Sequence, residues 1–427
     1  MGLKMGLKRL DSVVIPRPSL GGFYVALSLV AGVILVFFDR QPSRNDFTAQ
    51  WARARQVASL HFLSDPDPSG SGDYGGYTAN GTFQAFNNTA INSPVAYLPS
   101  LFSGGNLRVA SLLTLCVSVV FVYLGFRIAK EYGLILLAVA VHPLVFLSFV
   151  YPTADAMTNA FTLFVLGQVF RIFRDGFTRQ STILITVSAL VLGQLRITCA
   201  LLLMLLLIPL VRDLRRDAAH RTVDWQILPP CVAVCVSWGA WRLLTKGIDP
   251  SIRATRAQYE AAVHEAATHP IGVLQSMVVS VLSPLDFVGD KYNTGRNIGF
   301  FTGAESTQLS ALVMAPLLFA EVMLVLMNNA VLPRLSKADK AIVALTVVAF
   351  SAATFAALYA TWSFGDLGYY VNGIQSRYFI PVVPLLALLI PDLGAAFADR
   401  ERTQGFVIGL VMWTYVTMTL VHVLPVP

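Results

Sequence analysis

Apolar stretches with at most one charged residue each, most of them long enough to cross a bilayer, recur from one end of this 427-residue chain to the other, and a water-soluble fold has nowhere to put them. Eleven are legible, near residues 20–38, 106–126, 133–151, 156–170, 180–195, 197–211, 226–244, 309–331, 341–361, 378–396 and 404–424. Composition agrees, with 55% of residues hydrophobic and only 13% charged, about half the charged share of a soluble domain. The 27 Phe, 14 Tyr and 6 Trp exclude a disordered chain. The expected fold is an all-α polytopic membrane protein, one integral membrane domain over residues 1–427 with about eleven transmembrane helices.

The formal net charge of +7 points to nucleic acid only in a soluble chain; here the charges sit between apolar spans. With a cytoplasmic N-terminus, the tail holds Lys4, Lys8, Arg9 and Arg17. The cytoplasmic turns then hold Arg127 and Lys130; Arg171, Arg174 and Arg179; Arg212, Arg215, Arg216 and Arg221; Arg334, Lys337 and Lys340; and Arg400 and Arg402. That concentrates 18 of the 31 basic residues in about 65 residues of short connections, which resist translocation. The expected protein is a multi-pass component of the plasma (inner) membrane, N-terminus inside and C-terminus outside. The first span lacks a small-residue cleavage site and reads as an anchor rather than a signal peptide. The two longest polar stretches, 39–105 and 245–308, both fall outside, so the external face is where chemistry is expected.

Cys116, Cys199, Cys231 and Cys235 all lie in apolar spans, where a thiol is a small hydrophobe. Neither a disulfide framework nor a metal site is expected of them. His264 and His269 lack a third ligand. There is no sequence repeat, Walker A, dinucleotide fingerprint, H-E-x-x-H or G-x-S-x-G, which argues against ATP-driven pumping.

The first external loop opens with Asp46, about eight residues beyond the first span, followed by a helical stretch whose Trp51, Ala54 and Ala58 are expected to lie on the membrane. A carboxylate there can take a proton from a substrate hydroxyl, and it equally suits a helix N-cap. Residues 69–82 read as a flexible polar loop with Asn80 in an N-x-T pattern, as Asn87 is farther on. In 91–100, Tyr97 and Pro99 fit an interfacial anchor or a binding-site wall. Asp155 sits at the start of an apolar helix, facing a polar cavity or capping the helix. Arg196 divides an apolar stretch into two short segments and either faces the interior or snorkels to headgroups. In the second loop, 253–267 reads as an amphipathic helix and the apolar segment from Pro270 to about residue 283 as interfacial or re-entrant.

The most specific stretch is Y-Y-V-N-G-I-Q-S-R-Y-F-I-P-V-V-P-L, residues 369–385. Arg377, with Gln375 and Tyr378, stands where an apolar helix begins. Guanidinium is a planar multi-donor group suited to a lipid phosphate, and Arg and Tyr also favour the membrane interface for its own sake.

The segment G-I-Q-S-R-Y-F-I-P resembles the G-x-Q-x-R-Y-F-x-P hallmark of a bacterial polytopic membrane family of unknown function that is similar to GT-C glycosyltransferases. N-S-P-V-A-Y-L-P before the second span, P-T-A-D-A after the third, and H-P with the later N-I-G-F-F turn agree with it in order along nearly the whole chain. The resemblance implies a GT-C-like fold and sugar transfer on the external face, from a polyprenyl-phosphate donor to a glycan or lipid acceptor of the cell envelope, amid membrane lipids and without nucleic acid. In GT-C enzymes an acid in the first external loop acts as base, and Asp46 is the position that matches it, although Asn45 stands where the family often shows a second acid. The implied transfer is inverting and needs no cofactor or metal, with Asp155 as the second or acceptor-orienting acid and Arg377, Gln375, Tyr378 and Arg196 on the lipid phosphate. A lipid-linked glycan flippase and a non-catalytic assembly partner are the alternatives.

Overall fold

The computed structural model describes residues 19–40, 47–78, 80–215, 225–248, 255–282, 309–329, 335–371, 373–390 and 400–424. Asp46 and Asn45, the N-I-G-F-F turn and the basic tail of residues 1–18 lie outside the described residues. The helices are, in chain order, α1 (Leu20–Phe38), α2 (Phe47–Ala58), α3 (Leu107–Ala129), α4 (Gly133–Ala140), α5 (Pro143–Phe149), α6 (Ala154–Asp175), α7 (Arg179–Gln194), α8 (Leu207–Leu214), α9 (Leu228–Leu244), α10 (Arg256–Thr268), α11 (Pro270–Leu282), α12 (Ala311–Asn329), α13 (Lys337–Trp362), α14 (Val383–Leu389) and α15 (Arg400–Val423).

Among the described residues, eight helical runs are long and apolar enough to cross a membrane. They are α1, the run Leu107–Ala140 through α3 and α4, α6, the run Ile197–Leu214 ending in α8, the run Trp225–Leu244 ending in α9, and α12, α13 and α15. The other three expected spans take different forms. The stretch 133–151 is broken after α4, because Pro143 cannot continue a helix and the His142 ring accepts the Leu144 N–H to cap α5. Helix α7 has 16 residues. Ser376–Leu389 is a shorter apolar helix that begins as 3-10 and passes into α14.

Helix α6 is the centre of the bundle: 17 of its 22 residues are buried. It packs along α3, which in turn packs on α1, while α7 packs on α9 and α12 on α15. Without a hydrophobic drive between helices in lipid, such contacts depend on close backbone approach. A Cβ built on Gly167 would stand 2.4 Å from the Gly125 carbonyl oxygen, so α3 and α6 touch through bare backbone.

The connection between α1 and α3 corrects two expectations. Residues 65–85 contain a three-stranded antiparallel sheet, β1 (Asp65–Pro66), β2 (Tyr74–Tyr77) and β3 (Phe83–Ala85), with β2 central, so the protein is not all-α and 69–82 is not simply a loop. A side chain at Gly75 would stand 2.2 Å from the Gln84 carbonyl oxygen, so the glycine that reads as flexibility permits strand pairing. Helix α2 does not turn Ala54 to lipid: Ala54 and Val57 are fully buried beneath Ala96 and Tyr97. Its Arg53 is buried too, its guanidinium bonded to Gln56 and to the carbonyls of Phe62 (2.6 Å) and Asn92 (3.0 Å), and burial pushes its pKa down to about 10.

This connection sits on the bundle end where α1 finishes and α6 begins. The Tyr151 hydroxyl donates to Asp39 (2.6 Å), and the Phe47 ring meets the Tyr151 ring edge-on at 5.2 Å. The opposite end holds the Arg212–Asp339 and Arg174–Glu131 ion pairs, at 3.0 and 2.9 Å.

Candidate functional site

At the covered end of the bundle, three chain segments remote in sequence place charged side chains against one another. Thr153 caps α6 by accepting the Ala156 N–H, so Asp155, in the first helical turn, is not consumed as the cap. Arg196 occupies an extended position (φ −112°, ψ 117°) between α7 and the 3-10 helix Ile197–Leu206. The break that the sequence shows as a lone cation in an apolar run is therefore a real interruption of the helix. Arg377 stands in the first turn of the 3-10 helix Ser376–Val382, reached through the Gly373 turn (φ +78°) and the extended Gln375.

Two helices hold that last segment in place. In α11, the Ser276 and Ser280 hydroxyls accept the N–H groups of Gly368 (2.8 Å) and Val371 (3.0 Å). Helix α11 and α10 both pack on α13, where Ala262 joins Tyr359 and Ile374 in a small core and the Tyr359 hydroxyl donates to Glu265. Of α10, Ala262 is buried and Tyr259 and Ala266 pack against the same small core.

The result is an ion triad. Arg196 Nη2 lies 2.7 Å from Asp155 Oδ1, and Arg377 Nε lies 3.0 Å from Asp155 Oδ2. The Tyr378 ring adjoins both cations, its centroid 4.7 Å from the Arg196 guanidinium carbon and 5.4 Å from that of Arg377. The side chains of Asp155, Arg196 and Arg377 are 15, 27 and 12% exposed, so neither arginine is snorkelling into headgroups. Arg196 Nη1 is buried and has no hydrogen-bond partner among the described residues. Two cations sharing one carboxylate carry a formal charge of +1, and with a donor lacking an acceptor the arrangement suits a singly charged oxyanion. Gln375 stands two residues before Arg377, immediately preceding the 3-10 helix.

Residues that sequence reasoning missed complete the setting. Gln50 of α2 accepts hydrogen bonds from the Tyr97 hydroxyl and from the Ala154 N–H (3.1 Å), which ties α2 to the turn carrying Asp155. Tyr97 is thus a buried structural link rather than an interfacial anchor. Gln194, two residues before Arg196, accepts from Ser93 (2.8 Å) and donates to Ser237, binding the break to both the connection and α9. Nothing in the periodicity marks these amides. No group of three or more His, Cys, Asp or Glu able to hold a metal ion occurs among the described residues.

A family model described as "Predicted membrane protein (DUF2142)" matches residues 78–386, which include the whole triad. No curated protein matches the chain. Among solved structures, the archaeal oligosaccharyltransferase AglB from Archaeoglobus fulgidus, in complex with an inhibitory peptide and a dolichol-phosphate, is similar over 94% of this chain and 55% of that one, at 11% identity and a TM-score of 0.38. The chain thus spans about half the length of that protein. A TM-score of that size lies below what a common fold requires, so the site stands on its own residues.

Proposed function

The chain belongs to the DUF2142 family of predicted membrane proteins, and from that premise we propose that it is a GT-C-like glycosyltransferase of the plasma membrane. It moves a sugar from a polyprenyl-phosphate donor to a cell-envelope glycan or lipid acceptor at the external face. The observation that carries the reading is the triad of Asp155, Arg196 and Arg377 around Tyr378, a cationic, half-dry site at one end of a membrane bundle. Arg377 and Arg196, with Gln375 and Tyr378, hold the lipid phosphate and offset the charge that develops on it as the glycosidic C–O bond breaks. Asp155 keeps both guanidiniums in register and orients the acceptor. Asp46, on the segment leading into α2, takes the proton of the acceptor hydroxyl as its oxygen bonds to the anomeric carbon. The donor phosphate leaves with the bonding pair.

The test is transfer from a defined polyprenyl-phosphate sugar by the purified chain in lipid nanodiscs. Asp46→Asn is expected to lower the rate about 10²- to 10⁴-fold, the usual effect of losing a general base. A rate within a few-fold of the unaltered chain overturns that role.

A second reading, movement of a lipid-linked glycan across the bilayer, is favoured by Glu321. It sits mid-way along α12, and its carboxyl has an oxygen, Oε1, that is buried without a hydrogen-bond partner among the described residues. Acidic groups within a span commonly mark transport paths. Vesicles separate the two: a transferase makes a new glycosidic bond, and a flippase relocates labelled lipid unaltered.

A further inference from the structure

Helix α2 carries two arginines that the fold treats in opposite ways. Arg53 is fully buried, with both terminal nitrogens bonded, to Gln56 and to two backbone carbonyls, although its Nε, like that of Arg55, has no hydrogen-bond partner among the described residues. Arg55, half a turn on, is half-exposed and pairs with no carboxylate among the described residues. Its guanidinium carbon lies 5.8 Å from the centroid of the Trp51 ring, and one nitrogen donates to the Gln84 side chain of β3. Its Nε is buried and has no hydrogen-bond partner among the described residues. A residue whose only task was to tie α2 to the sheet would need no charge, since a neutral donor to Gln84 would serve.

The position of this group relates it to the triad. Trp51 packs against the same buried cluster, Ala54, Val57, Ala96 and Tyr97, as do Ala154 and Leu195, the chain neighbours of Asp155 and Arg196. Gln50, next to Trp51, bonds directly to the Ala154 N–H. An indole, a guanidinium and a carboxamide thus stand side by side, Trp51 against Arg55 and Arg55 against Gln84. Flat aromatic faces beside planar hydrogen-bonding groups suit the apolar faces and hydroxyl rims of sugars, and a guanidinium without a counter-ion selects those bearing an anion.

We infer that Trp51, Arg55 and Gln84 form the acceptor subsite of the triad site, and that the acceptor is an anionic saccharide. This rests on the transfer reading for the word acceptor, but the binding it describes is measurable without turnover. A carboxylate-bearing and a phosphate-bearing sugar offer Arg55 the same chemistry, so both are tested.

The experiment measures binding of the full chain in lipid nanodiscs to immobilised oligosaccharides of equal length: neutral, glucuronate-containing and phosphorylated. One or both anionic sets are expected to bind at least about tenfold more tightly than the neutral set, the scale of a charge-assisted hydrogen bond. Arg55→Gln is expected to remove that preference. Gln84→Glu preserves the shape of the side chain and gives Arg55 an internal carboxylate; it is expected to remove the preference as well, with an unchanged melting temperature. Trp51→Ala is expected to weaken neutral and anionic sugars alike. Equal binding of neutral and anionic sets, no binding to any, or a preference that survives both Arg55→Gln and Gln84→Glu overturns the inference. These outcomes leave the transfer reading standing, whereas saccharide binding with the predicted dependence and no transfer in the nanodisc assay would remove the transfer reading alone.

Discussion

Asp155→Asn moves two measurable quantities in opposite directions if the triad has been read correctly. The substitution preserves the shape of the side chain and removes its charge, so the contacts from Arg196 at 2.7 Å and Arg377 at 3.0 Å lose their electrostatic part. Breaking a buried ion pair costs about 3–5 kcal/mol and an exposed one under about 1 kcal/mol. With exposures of 12 to 27% the triad lies between these limits, and a loss of about 2 kcal/mol is expected. The formal charge of the three residues rises at the same time from +1 to +2. One unit charge about 6 Å from a bound phosphate is worth about 3 kcal/mol at an effective dielectric constant of about 20, and about half of that in a wetter site. Phosphate affinity should therefore rise about ten- to a hundredfold. Arg196→Gln and Arg377→Gln take the charge to zero and should lower affinity by a similar factor. Thermal melting in nanodiscs reads the first quantity and titration with a polyprenyl monophosphate reads the second. Should Asp155→Asn and Arg377→Gln shift phosphate affinity in the same direction, Asp155 is not the counter-charge of an anion site and the electrostatic reasoning fails.

Further outcomes follow from other parts of the molecule. Gly167→Ala drives a methyl to 2.4 Å from the Gly125 carbonyl oxygen and should lower stability by about 1–3 kcal/mol through separation of α3 and α6; an unchanged melting temperature would mean that this contact yields freely. Glu321→Leu removes the buried, unpartnered carboxyl oxygen from mid-helix in α12 and should raise stability by about 1–3 kcal/mol; a lower melting temperature would show that the carboxyl has a partner. In the first connection, the hydroxyls of Ser69 and Ser71 and the Ser69 N–H hold the Asp67 carboxyl below its ordinary range. A depressed folded-state pKa contributes stability that is present above the unfolded value and lost as pH falls through the folded one, so Asp67→Asn should flatten the acid limb of the melting profile. An acid limb identical to that of the unaltered chain counts against those hydrogen bonds.

How much of this was legible in the sequence depended on the range of the interaction that fixes each feature. Apolar runs are local, and α1, α3, α6, α9, α12, α13 and α15 stand where hydropathy puts them. The break at His142 was legible in kind, since the residue before a proline resists helix, but the surrounding hydrophobicity hides it. The sheet at 65–85 was not: Gly75 and Gly76 carry no apolar alternation, and the reasons for them are the Gln84 backbone across the ladder from Gly75 and the Gln56 side chain of α2 against Gly76. The site divides in the same way. Asp155, Arg196 and Arg377 each stand out alone as a charge at the edge of an apolar helix, a position that is costly unless something compensates. For each, a bland local reading was available: a cap for Asp155, headgroup contact for the arginines. The bland readings fail together and for one reason, because Thr153 performs the capping and the freed carboxylate is the compensation for both cations. Three unexplained charges of complementary sign, each at a helix interruption, constrain one another more tightly than any motif among them. That pairing requirement was the long-range information in the sequence, and the bundle supplied the distances that closed it.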